Sequence, residues 1–303
     1  MNKEVKDKAA SVRARLTNIA RTENIDFDAL LLRYFQERFL YRLSISEFSN
    51  YFILKGGLLL ISFDLPQTRP TKDIDFLGDK IINDIEKIKQ IIIKIAELDY
   101  NDGVKFLKSS IESKRIKEDA DYEGIRIKID ANLGQAKKKL QIDIGFGDKI
   151  VPQAETIKFP TLLDENSPII KVYSVESIIS EKFEAMIKLA MLNSRMKDFY
   201  DVYNLSKNHK FSAATLKEAI ETTFQRRKTF LPDNPLIFQS EFQTDKTRQQ
   251  QWFAFLNKSK LHDADQSFDK IMDRITSFLK PVVVAIKNNQ ESNKEWRLPG
   301  QWE

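Results

Sequence analysis

The sequence predicts an α+β protein, with a mixed β-sheet between an N-terminal helical segment and a mostly helical C-terminal region. Three observations carry this. Of the nine glycines, eight lie between positions 56 and 147; turns and close backbone approaches use glycine, whereas helix interiors avoid it. Apolar residues recur at helical spacing before about Phe52 and after about Ser174. Between those limits the pattern changes to alternation, at 73–77, 124–130 and 140–144. Helix, strand, helix and then several strands is the order of an α+β core around a mixed sheet.

The elements follow in chain order. Leu16, Ile19 and Ala20, then Leu30, Leu31, Tyr34 and Phe35, then Phe39 and Leu40 trace helical faces, and Ser44 and Ser46 are candidate caps. Phe52–Leu54 is an apolar run, a strand or helix end that reaches a turn at Gly56-Gly57; Leu58–Phe63 is helix-compatible. Asp73–Leu77 alternates into Gly78 and predicts a strand. Ile85, Ile88, Ile92 and Ile95 predict a helix over 83–98. Strands are predicted at 124–130 and 140–144, with a weaker one at 156–159. Then helices return. Val175–Leu192 is amphipathic, Asn193-Ser194 interrupts it with Ser194 as the next cap, and further helices run over 214–224 and 267–287. Pro281 is expected to kink or break the last one. The polar tail beyond Asn288 is expected to fray, with Trp296 and Trp302 making a docking contact. The predicted division is 1–50 helical segment, 51–172 core and 173–303 helical domain.

Composition bounds the chemistry. The chain has 303 residues, 42% hydrophobic and 31% charged, with a net charge of +5. That is enough for a full core and only a mild preference for anionic partners. There is no cysteine, so disulfides, thiolate metal sites and cysteine nucleophiles are excluded. The two histidines, His209 and His262, are too few for a multi-histidine metal site and are read as structural. The start is charged and lacks the apolar core of a signal peptide. Runs such as Leu58–Ile61 and Val282–Ile286 are too short to span a bilayer. A cytoplasmic protein with no membrane contact is expected.

Carboxylates, Lys, Arg, hydroxyls and backbone must then supply the chemistry. Asp73 and Asp75 are two apart on a predicted strand, so their side chains share a face. Asp143 lies on a second alternating strand, with Ile142 and Ile144 on its other face. If those strands are neighbours, the three carboxylates converge and need a cation, for which hard oxygen ligands suit Mg²⁺. Taken alone, the D-x-D pair is more commonly a solvated sheet face. Lys55-Gly56-Gly57 precedes a predicted helix, where backbone N–H groups could meet a phosphate; alone, it is more commonly a plain turn. No P-loop and no G-x-G-x-x-G is present. Two basic clusters, 137–139 and 226–228, with Phe224 and Phe230 beside the second, could contact RNA phosphates and bases; each alone is more commonly a solvated charge run.

The combination of a Gly-Gly turn, a short helix, a D-x-D strand and a distant third aspartate resembles the nucleotidyltransferases of the DNA polymerase β-like superfamily. The segments 39–44 (FLYRLS), 54–57 (LKGG), 69–76 (RPTKDIDF), 143–148 (DIGFGD), Glu181-Lys182, 195–201 (RMKDFYD), Trp252 and 278–281 (FLKP) together resemble the AbiEii/AbiGii toxin family, over nearly the whole chain and in order. The resemblance implies that Gly56 and Gly57 line a nucleoside triphosphate with Lys55 beside them. Many superfamily members have Ser where Gly57 stands, so that hydroxyl contact is missing. It further implies Asp73 and Asp75 as metal ligands, and Asp143 as third ligand or as base. Lys182 becomes a triphosphate contact pointing into the same cleft, Asp198 a catalytic-motif residue, and Arg69 a phosphate contact. Without the resemblance, Lys182 reads as a solvated helix charge, Arg69 as a loop charge and Asp148 as a turn residue after Gly147, and Arg69, Asp148, Asp198 and Asp201 stand between function and these plain roles. Arg195–Asp198 and Lys197–Asp201, at helical spacing, read equally as surface pairs.

The implied activity is transfer of an NMP from an NTP to a hydroxyl, releasing pyrophosphate, with Mg²⁺ in a two-ion site. The resemblance points to a toxin of a toxin–antitoxin or phage abortive-infection system, with the 3′ end of tRNA as acceptor and a cognate antitoxin as partner. Two alternatives stay open: transfer to a protein side-chain hydroxyl, and an inactive nucleotide- or RNA-binding module. The preferred base and the oligomeric state have no sequence signal.

Overall fold

The structure, a computed structural model, describes residues 7–63, 65, 69–119 and 122–303. The chain divides into two compact units. One comprises Met1–Ser62, Pro70–Gly147 and Glu155–Val172, and the other Phe63–Arg69, Asp148–Ala154 and Tyr173–Glu303.

The first unit begins with two helices, α1 (Lys8–Thr22) and α2 (Phe27–Ser44), whose N-caps Asp7 and Asp26 accept backbone N–H groups. Strand β1 (Phe52–Lys55) runs straight into α3 (Gly56–Leu59), which is a single turn. Then come β2 (Asp73–Gly78), α4 (Ile85–Glu97), β3 (Val104–Asp119), β4 (Tyr122–Leu133), β5 (Ala136–Phe146), β6 (Glu155–Lys158) and β7 (Ile169–Val172). The seven strands form one mixed sheet in the order β3-β4-β5-β2-β1-β7-β6. β2 runs parallel to β5 and β1 parallel to β7; the other neighbours are antiparallel.

Alternation explains the sheet. Ile125, Ile127 and Ile129 of β4, Leu140, Ile142 and Ile144 of β5, and Ile74 and Phe76 of β2 are almost wholly buried, and the intervening polar residues take the other face. α2 contributes Tyr34, Phe35, Phe39 and Leu40 to the same core, and its Arg42 forks onto buried Asp102 at 2.7 and 3.1 Å. The predicted helix over 83–98 is α4, with Ile88, Ile92 and Ile95 buried.

Several expectations need correction. Two strands lie beyond those expected, β3 and β7: β7 is the short, mostly apolar run Ile169–Val172, whereas β3 is the sheet edge, where Lys105, Lys108, Lys114, Arg115 and Lys117 stay exposed and no apolar period shows. Ser44 and Ser46 are not N-caps; their hydroxyls donate back to the carbonyls of Tyr41 and Leu43 at the end of α2.

The second unit is helical: α5 (Val175–Leu189), α6 (Met196–Asn208), α7 (Ala213–Arg226), α8 (Ser240–Gln243), α9 (Lys246–Ser259) and α10 (Phe268–Lys287). The N-cap of α6 is Arg195 rather than Ser194, and its N–H is held by the Asn193 side chain. Pro281 does not end α10. Its buried face, from Ile271 and Ile275 to Val282 and Val283, continues past the missing N–H.

Nor does the tail fray. Strands β9 (Glu295–Arg297) and β10 (Gln301–Trp302) pair with each other, and β9 with β8 (Phe211–Ser212). The Trp296 indole N–H donates to the Ser206 carbonyl at 2.7 Å and that of Trp302 to the Phe278 carbonyl at 2.9 Å, the docking the two tryptophans led us to expect. Among the described residues, no helix is long and apolar enough to cross a membrane.

Candidate active site

In the first unit one row of residues runs across four adjacent strands. Lys55 of β1 lies opposite Asp75 of β2, Asp75 opposite Asp143 of β5, and Asp143 opposite Arg126 of β4. Residues directly opposite one another share a sheet face, and Asp73, two positions from Asp75, joins it. All three carboxylates therefore lie on one face. The apolar set on the other face pins this register, because a one-residue slip would drive the acids into the core.

The Gly-Gly turn closes on that row. Gly56 has φ +70°, and a Cβ built on it would lie 2.1 Å from Asp75 Oδ2, so only glycine fits. The helix behind it is one turn long, so its dipole is small. A phosphate here would rely on backbone N–H groups and on Lys55, which is buried opposite Asp75.

Arg126 is the residue that sequence reasoning missed. Its Nε donates to Asp143 Oδ1 at 2.8 Å and an Nη to Oδ2 at 2.6 Å, and Gln141 Nε2 adds a third bond to Oδ2 at 3.2 Å. The hydrogen bond to Asp143 raises the Arg126 pKa; burial opposes it, and the charges of Asp143, Asp73 and Asp75 add to the rise. A signal did exist: the alternation over 124–130 puts Arg126, Lys128 and Asp130 on the face shared with Asp143.

Among the described residues, no three His, Cys, Asp or Glu side chains are grouped to hold a metal ion. Asp73 and Asp75, on one face beside the turn, still suit a small divalent cation, since Mg²⁺ is bound by one or two carboxylates together with substrate phosphates.

The remaining predicted residues lie in the second unit. Lys182 of α5 contacts Asp198 at 2.9 Å and Asp201 at 2.7 Å, both on α6. Arg69 forks onto Asp201 at 2.9 and 2.8 Å, and Arg195 reaches Asp198 at 2.7 Å. Burial pulls the Lys182 pKa down, but Asp198 and Asp201 outweigh it and raise it. Burial likewise pushes Asp198 up, and Lys182 and Arg195 bring it below the usual range. These are not surface pairs: both aspartates are 1% exposed.

Both basic clusters have internal partners. Lys137, Lys138 and Lys139 pair with Asp130, Asp28 and Glu112. Arg227 is held among Asp148, Glu181 and Glu184, which accounts for Asp148 as an ion-pair partner. Phe224 is buried against Phe183, while Phe230 is exposed with Lys287 over its ring. His209 packs edge-on against Phe63, and burial lowers its pKa, the structural role expected.

The profile of a family described as "Nucleotidyl transferase AbiEii toxin, Type IV TA system" matches residues 38–274. The chain belongs to this family. As an AbiEii-family protein it is a nucleotidyltransferase, with an NTP as substrate and a toxin–antitoxin setting that implies a cognate antitoxin. Two solved structures from Helicobacter pylori share its fold. One, described as a candidate nucleotidyltransferase, has 14% identity and a TM-score of 0.53, covering 88% of this chain and 100% of the other. JHP933 has 15% identity and a TM-score of 0.52, covering 88% and 99%. No curated protein matches the chain.

Proposed function

We infer that this AbiEii-family enzyme transfers an NMP from an NTP to an RNA hydroxyl, at the 3′ end of tRNA, and so arrests translation and growth, in a toxin–antitoxin or abortive-infection setting. The observation that carries the reading is the cross-sheet row Lys55–Asp75–Asp143–Arg126, with Asp73 on the same face and Gly56 against Asp75.

Lys55 and the N–H groups of Gly56 and Gly57 would hold the triphosphate, and Asp73 and Asp75 the Mg²⁺. Bound there, the cation would neutralise charge on the phosphates and align the displacement. The acceptor oxygen bonds to the α-phosphorus, the bond to the bridging oxygen breaks, and pyrophosphate leaves. The hydroxyl proton passes to a carboxylate or to water. Lys182, Asp198 and Arg69 are proposed to support triphosphate binding. An RNA acceptor is favoured by Lys114 and Lys128. They lie on the same face, Lys114 opposite Arg126 and Lys128 between Gln141 and Glu112, whose carboxylate is paired with Lys139. Such lysines suit phosphate contacts.

The test incubates the protein with each labelled NTP, Mg²⁺ and total RNA, then digests separately with nuclease and protease. Label released by nuclease from tRNA-sized RNA is the expected result. Label released only by protease would transfer the reading to a protein hydroxyl. Absence of label and of pyrophosphate would leave a binding module.

A further inference from the structure

The Arg126–Asp143 fork is more than a cross-strand ion pair, because of where it sits. Asp73, Asp75 and Asp143 occupy one face of two adjacent strands about 4.8 Å apart. Three such carboxylates repel unless a cation joins them. Arg126 is the cation directly opposite Asp143, and its own charge is stabilised by Asp73 and Asp75 as well.

We propose that Arg126 is a positioning residue that holds Asp143 and competes with a divalent cation for it, so that the third carboxylate is recruited only when a cation displaces the fork. The proposal rests on the metal-dependent reading above.

Two features make the exchange feasible. The Asp143 side chain is 10% exposed and must keep a positive partner, because a buried carboxylate left alone is costly. The Arg126 side chain is 29% exposed and can turn to water at small cost. The fork is bidentate and strong, so what competes for this carboxylate must carry more than one charge, as a divalent cation does. On β3 the residue opposite Arg126 is Lys114, a like charge, and the nearby Glu112 is paired with Lys139. Asp143 thus has two alternative partners, one built into the fold and one brought with the substrate.

The experiment uses the full chain and Mn²⁺ alone, with free Mn²⁺ read by electron paramagnetic resonance and melting followed in chelator and in Mn²⁺. Arg126→Met should bind Mn²⁺ on the order of tenfold tighter than wild type, the scale of one unit charge removed from a partly exposed site. It should melt lower in chelator and gain more from Mn²⁺. Combined with Asp143→Asn, the substitution should bind Mn²⁺ no tighter than Asp143→Asn alone. Arg126→Lys, which keeps the charge and loses the fork, should show a smaller gain with the same dependence on Asp143, and it serves if Arg126→Met does not fold. Unchanged or weaker Mn²⁺ binding by the folded Arg126 variants would overturn the proposal. So would a gain that persists without Asp143, which would make Arg126 a background charge. Wild-type protein that binds no Mn²⁺ at millimolar concentration would instead overturn the metal reading and this inference together.

Discussion

Gly56 and Asp75 make the tightest constraint in the site. A methyl group at Gly56 would meet Asp75 Oδ2, and its φ of +70° is itself strained for any other residue. Gly56→Ala should therefore destabilise by about 1–3 kcal/mol, seen as a lower melting temperature, and should lose transfer because Asp75 must move. Asp75→Asn tests the carboxylate itself. The amide keeps the size but binds Mg²⁺ poorly, so transfer should fall at least on the order of 100-fold, the scale of one lost electrostatic contact in a transition state. The protein should still fold and, without metal, melt no lower than wild type, since one of three clustered negative charges is gone. Growth inhibition should vanish with transfer. Toxicity that survives without transfer would point to binding as the cause.

Elements decide how the Lys182 network behaves. It joins α5 to α6 through two buried aspartates, so Lys182→Ala removes the cation they share and leaves Arg195 for Asp198 and Arg69 for Asp201. The expected cost is about 1–3 kcal/mol, larger than a pure substrate-contact role would give. The sign with pH follows from the shifts. Asp198 is depressed, so its contribution is present above the ordinary aspartate value and lost as pH falls through its folded pKa. Lys182 is raised, so its contribution is present below the ordinary lysine value and lost as pH rises through its own. Between about pH 4 and 10 the pair contributes fully. In Lys182→Ala, Asp198 keeps Arg195 but loses the largest of its charge partners, so its pKa rises and the folded variant binds more protons than folded wild type does as pH falls. The variant's deficit in melting temperature should then be smaller at pH 5 than at pH 8. Parallel profiles at the two pH values would contradict this account. The tail is a second element-scale case. Trp296 is 1% exposed and packs 4.9 Å from Phe278; Trp296→Ala should destabilise the second unit by about 3–5 kcal/mol.

For the whole molecule, substrate binding is linked to stability. NTP with Mg²⁺ at about 100 times its dissociation constant should stabilise by about 2.7 kcal/mol, a rise of a few degrees in melting temperature. Asp75→Asn should abolish that rise. The net charge of +5 is modest, so RNA association should depend on local lysines. Lys114→Ala with Lys128→Ala should weaken RNA binding and flatten its salt dependence by about two phosphate contacts, leaving NTP-induced stabilisation intact.

The sequence alone determined the α+β class, because period-2 and period-3.6 apolar patterns are local and each survives wherever one face is buried and the other wet. It placed Asp73 and Asp75 on one face, since alternation along a single strand settles that. It could not show β3, whose edge position leaves charge on both sides and no apolar period. It could not show that α10 runs through Pro281, which depends on the burial of the helix on both sides of the missing N–H. Above all, it could not choose partners. Asp143 stands 17 residues from Arg126 and Lys182 16 from Asp198, while Arg69 meets Asp201 across 132. Such pairings arise from strand register and helix packing, which bring distant charges into one low-dielectric place. Tertiary structure alone therefore decided that the third carboxylate is met by Arg126, and that Lys182 is anchored by two buried aspartates.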